Sequence, residues 1–178
     1  MRRVVSGQQA DGKSVFVSDE DVDLVNPVLF GGNEIWKIWQ SDTAPKLPTD
    51  GSPPAGPAFF PPDGGFRLSL WTIPAATATP PAIDDMDAAV AEAEEVFPGI
   101  TTALTDNEGM HQSDTLDWIY VVSGEVTLTL DSGEEKTLHQ GDSLIQNGTN
   151  HAWSNRSDEK VLMLLAMLGG SREGGQAH

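Results

Sequence analysis

The sequence predicts an all-β fold: a jelly-roll-like barrel with an N-terminal extension of strands and one short helix. Between residues 109 and 155, short apolar segments follow one another and are separated by turns that contain glycine. Only residues 84–97 carry apolar side chains at helical spacing. The nine-residue apolar run 160–168 is followed by two glycines, which favours a buried closing strand over a helix.

Length and charge limit what the protein can be. A chain of 178 residues can bury one core, so we expect a single domain with extensions. The net charge of −17 argues against nucleic acid and anionic membranes as partners. The chain has no cysteine, which excludes disulfides and thiolate chemistry. Without the apolar run of a signal peptide or a membrane span, a cytoplasmic protein is expected.

Composition divides the chain into three parts. Residues 1–100 are expected to supply N-terminal strands, a proline-rich loop and a helix that pack on the barrel. Residues 101–170 form the barrel core, and the polar, glycine-rich residues 171–178 are predicted to be a disordered tail.

The first part begins with strand patterns. Alternation within residues 2–18, around the turn at Asp11-Gly12-Lys13, predicts a hairpin. Residues 33–40 have apolar groups on both faces, which indicates a strand covered on both sides, one of them by a partner chain. Residues 66–73 alternate cleanly and predict another strand.

The segment between residues 41 and 65 contains seven prolines. Each proline lacks a backbone donor and restrains the residue before it, so this segment is predicted to be a long loop. Two interpretations are open: a surface insertion, or a flap over the barrel mouth with Phe59-Phe60 as its apolar tip.

The helix has clear boundaries in the sequence. Asp84 or Asp85 is a good N-cap, and Pro98-Gly99 stops the helix. Its apolar residues lie on one stripe, which we expect to pack against the outside of the sheet. The stripe consists of Met86, Ala89, Val90, Ala93 and Phe97.

Polar residues at the two ends of the barrel segment are the candidate site. Four of them, His111, Ser113, Thr115 and Asp117, share a parity and project to one face of an extended segment. His151 lies on a later strand that can run beside the first, so two imidazoles and a carboxylate can converge in the barrel. The alternative is that both histidines are structural. Burying Asp117 without a partner is costly, so a metal or a hydrogen-bonded histidine is expected beside it.

The same segment resembles the conserved-barrel cupins, which fold as a double-stranded β-helix. Their first motif, Gly-(x)5-His-x-His-(x)3–4-Glu-(x)6-Gly, aligns with four residues of this chain, and their second, Gly-(x)5-Pro-x-Gly-(x)2-His-(x)3-Asn, with five, although Ser113, Asp117 and Gln146 stand where histidine, glutamate and proline are usual. The first set is His111, Ser113, Asp117 and Gly124, and the second is Gly141, Gln146, Gly148, His151 and Asn155. More narrowly, the chain looks like a small single-domain bacterial subgroup with an altered metal-ligand motif.

The resemblance implies a metal site with fewer ligands than usual. Cupins commonly hold a divalent metal with three histidines and a glutamate. Here Ser113 replaces one histidine and Asp117 replaces the glutamate. The metal ligands that remain, His111, Asp117 and His151, are a set that binds Fe(II), Mn(II), Ni(II) or Zn(II) and leaves positions open.

Three functions follow as hypotheses. The first is a metal-dependent enzyme of the dioxygenase, lyase or isomerase type acting on a small organic molecule, with Ser113 or Gln146 touching the substrate. Without metal, His111 and Asp117 can act as general acid and base. The second is a non-catalytic barrel that binds or senses a small molecule. The third is a structural barrel whose role is assembly. The resemblance implies a homodimer, because cupins often dimerise through N-terminal strands and residues 2–40 supply such strands here.

Overall fold

The structure, a computed structural model, describes residues 1–54, 56, 58–102 and 109–173, which form eleven β-strands and one α-helix. In chain order these elements are β1 (Arg2–Gln8), β2 (Ser14–Asp21), β3 (Leu24–Val25), β4 (Ile35–Ser41), β5 (Phe66–Ile73), α1 (Met86–Val96), β6 (Thr115–Ser123), β7 (Glu125–Leu130), β8 (Glu135–His139), β9 (Ser143–Asn147), β10 (His151–Ser154) and β11 (Val161–Gly169). Short 3₁₀ turns occupy Val28–Phe30 and Ile100–Thr102.

The strands build two facing sheets and one separate hairpin. The larger sheet has six strands in the order β3-β4-β5-β11-β6-β9, and the smaller has three in the order β10-β7-β8. The pairings in both sheets are antiparallel. This architecture confirms the predicted all-β, jelly-roll-like barrel, with β11 as the closing strand in the middle of the larger sheet.

The core between the two sheets follows from alternation along β6. The odd-numbered residues of this strand from Thr115 to Val121 are buried, and the even-numbered residues are exposed. Ile119 and Val121 pack against Val126 of β7 and against Val161 and Met163 of β11. The inner face of β6 therefore carries both the core and the polar residues of the candidate site.

The outer face of the larger sheet is apolar and partly exposed. Leu116, Trp118 and Tyr120 of β6 are between 37% and 43% exposed, and Ile145 and Leu168 on the neighbouring strands are exposed as well. The homodimer expected from the sequence stays a prediction.

Three strands from the N-terminal hundred residues are part of the barrel rather than a layer on it. The predicted hairpin is present as β1 and β2. Strands β3, β4 and β5 supply half of the six-stranded sheet, and β5 pairs with β11 along its whole length. The predicted division at residue 100 therefore does not separate two structural layers.

Helix α1 begins where the sequence predicts, but it packs on the other side of the sheet. The side chain of Asp85 caps it by accepting a hydrogen bond from the Ala88 amide (3.0 Å). Phe97 packs against Ile35 and Trp71. Trp71 pairs with Met163, so it lies on the inner face of the sheet. The predicted packing against the outside is therefore wrong.

The physical reason is the width of the smaller sheet. Its residues pack over β6 and β11 and leave the inner face of β4 and β5 open. The helix covers that face with Ala93 and Phe97, whereas Met86, the first residue of the predicted stripe, is 55% exposed.

The proline-rich connection between β4 and β5 contains no strand or helix in its described residues, as predicted. Backbone hydrogen bonds tie it to the hairpin, from the Gln8 amide to the Thr49 carbonyl (2.8 Å), and to the end of α1, from the Phe59 amide to the Pro98 carbonyl (2.8 Å). The ring of Phe59 meets Trp71 and Phe97 edge-on. This connection therefore packs against the body of the protein near the inner face of β5.

The last described residues are also bonded to the barrel. Arg172 pairs with Asp114 (2.6 Å) and donates to the carbonyls of Ser113 and Gly148. The prediction of a disordered tail from residue 171 is therefore wrong for Arg172, and residues 174–178 lie outside the described residues. No helix in the described part of the chain is long and apolar enough to cross a membrane.

Candidate functional site

A cavity of about 540 Å³ lies between the two sheets. Four of the five side chains that the sequence singles out line it: His111, Ser113, Asp117 and His151. Most of the remaining wall is apolar or aromatic, and it includes both Phe59 and Phe60 of the proline-rich connection. The interpretation of that connection as a flap tipped by these two residues is consistent with their position, although movement of the flap stays a prediction.

The two histidines are neighbours across a short antiparallel bridge. Their backbones exchange two hydrogen bonds, each 2.9 Å long. The centroids of their rings are 4.2 Å apart, and the ring planes are inclined by 51°. The predicted approach of the strand of His151 to the segment of His111 is therefore present.

The protein holds each imidazole through Nδ1. The Nδ1 of His111 lies 3.0 Å from the Gly109 carbonyl oxygen, which can only accept a hydrogen bond. In the neutral ring of His111, Nδ1 therefore carries the hydrogen and Nε2 has the lone pair. The Nδ1 of His151 lies 2.9 Å from the Thr149 carbonyl oxygen and 3.0 Å from Nε2 of Gln146, so it donates to the first or accepts from the second.

His151 is deeply buried, with 3% of its surface exposed. Burial is the main cause that lowers its pKa to about 4, and the nearby His111 lowers it further, while the bond to the Thr149 carbonyl opposes both. His151 is therefore a neutral imidazole near pH 7. Trp153 meets its ring edge-on, with centroids 5.9 Å apart.

Asp117 carries a buried carboxyl, and one of its two oxygens lacks a hydrogen-bond partner among the described residues. It is 6% exposed, and burial raises its pKa to about 6, against the opposing effect of a hydrogen bond from the Thr115 hydroxyl. Its Oδ1 is buried and has no hydrogen-bond partner among the described residues. An unpaired acceptor at this depth is costly, so the Asp117 carboxyl is a polar group of the site that the described residues leave incompletely satisfied.

Thr115 is a site residue to which the sequence analysis gives no role. Its hydroxyl lies 2.7 Å from that of Ser113 and also bonds Asp117, so three inward-facing residues form a chain of polar contacts. Their shared parity along the segment was visible in the sequence. Which hydroxyl would reach the carboxyl was not, because that depends on side-chain rotamers in the folded barrel.

Gln146 has a different place from the one expected. It is 3% exposed and does not line the cavity; its amide donates to the Thr149 carbonyl (3.0 Å) and lies beside Nδ1 of His151. The expected contact with substrate is therefore corrected to a positioning role behind His151. The reason is that the Gln146 amide is already engaged, by the Thr149 carbonyl and by Nδ1 of His151.

The donor atoms of the site are of the kind that bind a transition metal, but their side chains are not placed close enough together to coordinate one ion. His111, Asp117 and His151 offer imidazole nitrogens and a carboxylate, and Oδ1 of Asp117 has no partner in the described chain. However, the described residues include no group of three or more His, Cys, Asp or Glu side chains placed to hold a metal ion. The predicted ligands share one cavity without forming a coordination site, and the metal stays a prediction.

Comparison with known proteins gives a family match over the same segment. The protein-family model described as "Cupin domain" matches residues 103–167. Phomopsin biosynthesis cluster protein C' of Diaporthe leptostromiformis is 30% identical over 155 residues, which cover 87% of this chain and 70% of that protein. The cupin-domain-containing oxidoreductase fogC of Aspergillus ruber is 32% identical over 93 residues, 51% of this chain and 43% of that protein. Among solved structures, the cupin domain of Schizosaccharomyces pombe Cnp3 has a TM-score of 0.47 at 9% identity, with 94% of this chain and 87% of that chain covered.

Proposed function

The chain belongs to the cupin superfamily, and we propose that it is an enzyme that acts on a small organic molecule held in the cavity between its two sheets. The observation that carries the proposal is Asp117, a buried carboxyl whose Oδ1 has no partner among the described residues and which lines the same cavity as two imidazoles. The relative named as an oxidoreductase supports an enzyme rather than a passive binder.

The reaction we propose is proton transfer on the bound molecule. The Asp117 carboxylate takes a proton from a carbon next to a carbonyl group, the electron pair of the C–H bond forms a C=C bond, and the π pair of the carbonyl moves onto its oxygen. Return of that proton to a different carbon is an isomerisation. Departure of a neighbouring hydroxyl as water, which takes the proton with it, is a dehydration.

The other residues orient the substrate and the base. The Thr115 hydroxyl bonds the Asp117 carboxyl and orients it, while Oδ1 has no partner among the described residues. Nε2 of His111 carries a lone pair in the neutral ring and can accept a hydrogen bond from a substrate hydroxyl. Thr149 and Gln146 fix the ring of His151. The apolar wall excludes water, which strengthens each of these polar contacts.

A bicyclic ketone, 2-tetralone, tests this proposal because its carbons next to the carbonyl lose protons measurably. We expect the wild-type protein to accelerate deuterium exchange at those carbons, followed by proton NMR, and Asp117→Asn to lose that acceleration by about 100-fold or more. The variant Asp131→Asn changes an exposed carboxyl in the turn after β7 and is the matched control. Equal exchange rates for wild type and Asp117→Asn would contradict the proposal.

A second candidate is a metal-dependent oxidoreductase or dioxygenase, and a specific observation favours it. The Nδ1 of His111 donates to a backbone carbonyl, the arrangement that commonly orients metal-binding histidines and frees Nε2 for a ligand. A bound Fe, Mn, Ni or Zn ion would supply Lewis acidity or, for Fe and Mn, activation of oxygen. His111, Asp117 and His151 would hold it after their side chains move closer together.

Metal analysis of freshly purified protein tests the second candidate. We expect a transition metal in the wild type and less of it in His151→Ala and Asp117→Ala, with folding of each variant checked by circular dichroism. The same metal content in all three proteins, or no metal in the wild type, would rule this candidate out.

A further inference from the structure

The cavity has a polar end and an aromatic end. The polar end is formed by Asp117, the histidine pair and Ser113, and the aromatic end by Phe30, Phe59, Phe60 and Trp71. Asp117 pairs with Met167 of β11, whereas Trp71 pairs with Met163 of the same strand. The indole of Trp71 reaches back to the Ser69 hydroxyl, and Ser69 pairs with Leu165, so this ring lies about two strand residues, roughly 7 Å along the sheet, from the row of Asp117.

The aromatic end presents carbon rather than polar atoms to a ligand. The indole Nε1 of Trp71 donates to the Ser69 hydroxyl (2.8 Å), so its one polar group is already satisfied. Phe59 packs edge-on against Phe60 and against Trp71, with ring centroids 4.6 Å and 5.9 Å apart. Such a wall favours the rings of a ligand over hydroxyl or amide groups, which would lose their hydrogen bonds to water there.

The charges of the lining restrict the ligand further. Among the described residues that line the cavity, none is lysine or arginine, and Asp117 is the acidic one. An anionic ligand would therefore be buried beside a carboxyl without a counter-ion. A cation could pair with Asp117, but that one carboxyl would have to offset the cost of removing both charges from water, and the described lining offers no second anion.

From these observations we propose that the ligand is an uncharged, ring-bearing molecule with a hydroxyl or carbonyl group at one end. Its polar end sits against the Asp117 carboxyl and the histidine pair, and its rings sit against Phe60 and Trp71. The cavity volume of about 540 Å³ lies inside the range of roughly 300–1,000 Å³ that is typical of ligand pockets. This inference rests on the proposed function because it names the substrate class of the same cavity.

Isothermal titration calorimetry with four matched probes tests the inference. The probes are 2-naphthol, 2-naphthoate, 2-naphthylmethylammonium and D-glucose, which separate the ring system, its charge and its polarity. We expect 2-naphthol to bind at least ten-fold more tightly than each of the other three. Tighter or equal binding of either ion, or of glucose, would overturn the inference.

Two variants locate the binding. Phe60→Ala removes a ring from the aromatic end and is expected to weaken 2-naphthol binding about ten-fold. Phe16→Ala removes a ring that is 81% exposed on the hairpin and should leave binding unchanged. Equal affinity of wild type and Phe60→Ala would also overturn the inference.

The binding experiment and the exchange experiment test the ligand class and the proposed function separately. If 2-naphthol binds as expected while 2-tetralone shows no accelerated exchange, the proposed function fails and the ligand class stands. If exchange is accelerated while a charged or sugar probe binds most tightly, the ligand class fails and the proposed function stands.

Discussion

The imidazole rings of His111 and His151 lie 4.2 Å apart at the wall of the cavity, on backbones joined by two hydrogen bonds. At this distance a positive charge on one ring opposes a charge on the other. The effect adds to burial, the larger cause, in lowering the pKa of His151. Burial also raises the pKa of Asp117 at the same wall. The lowered pKa of His151 costs stability as the pH falls, whereas the raised pKa of Asp117 costs stability as the pH rises. The first two predictions test these two effects separately.

Asp117→Asn should stabilise the metal-free protein most at neutral pH. The pKa of Asp117 rises from 3.8 to about 6 on folding, so the wild type keeps full stability below pH 4 and loses it as the pH rises through 6. This rise in the pKa of Asp117 corresponds to a loss of about 3 kcal/mol in the free energy of unfolding above pH 6. The gain from Asp117→Asn, measured by urea unfolding at several pH values, should grow between pH 4 and 6 and then level off. A gain that does not depend on pH would contradict this prediction.

His151→Gln should give the opposite dependence. The pKa of His151 falls from 6.5 to about 4 on folding, so the neutral ring contributes stability above pH 6.5 that is lost as the pH falls through 4. Relative to the variant, the wild type should lose stability as the pH is lowered over that range. The same urea series in the presence of a chelator checks it, and a constant difference between the two proteins would show that the pKa of His151 is not lowered.

Arg172→Ala should destabilise the barrel by about 2 kcal/mol. Arg172 pairs with Asp114 and donates to the carbonyls of Ser113 and Gly148, so it connects the segment before β6 to the turn before β10. The control is Arg2→Ala, which breaks the exposed Arg2–Asp19 pair on the hairpin and should change the Tm little. Equal changes in Tm for the two variants would show that the contacts of Arg172 do not hold the mouth of the site.

Gly124→Ala should cost more than Gly133→Ala. Both glycines have a left-handed backbone, with φ of +78° and +82°, so both substitutions bear a similar strain. At Gly124 an added Cβ would also lie 3.0 Å from the Lys160 carbonyl oxygen and the Val161 Cα, whereas at Gly133 it meets no atom within 4 Å. We expect the close contact to add about 1–2 kcal/mol, measured as the difference in unfolding free energy. Equal losses would mean that the chain near Val161 moves aside at no cost.

Local chemistry allowed part of the fold and the site to be predicted. Alternation along β6 predicts that Ser113, Thr115 and Asp117 share a face, because the two-residue repeat of a strand is a property of the strand alone. The N-cap at Asp85 is likewise local, since the carboxyl bonds an amide only three residues later. Motif spacing and the resemblance to cupins predicted that His111 and His151 belong to one site.

Contacts between distant parts of the chain decided the rest. Helix α1 lies on the inner face of the sheet because the smaller sheet leaves β4 and β5 uncovered, and sheet width depends on the pairing of strands far apart in the chain. Gln146 lies behind His151 because the turn at Thr149 folds back onto its amide. Sequence by itself determined which side chains face inward. Tertiary structure decided how closely they approach, because alternation specifies a direction from each strand, whereas a distance depends on where the packed core places the neighbouring strand.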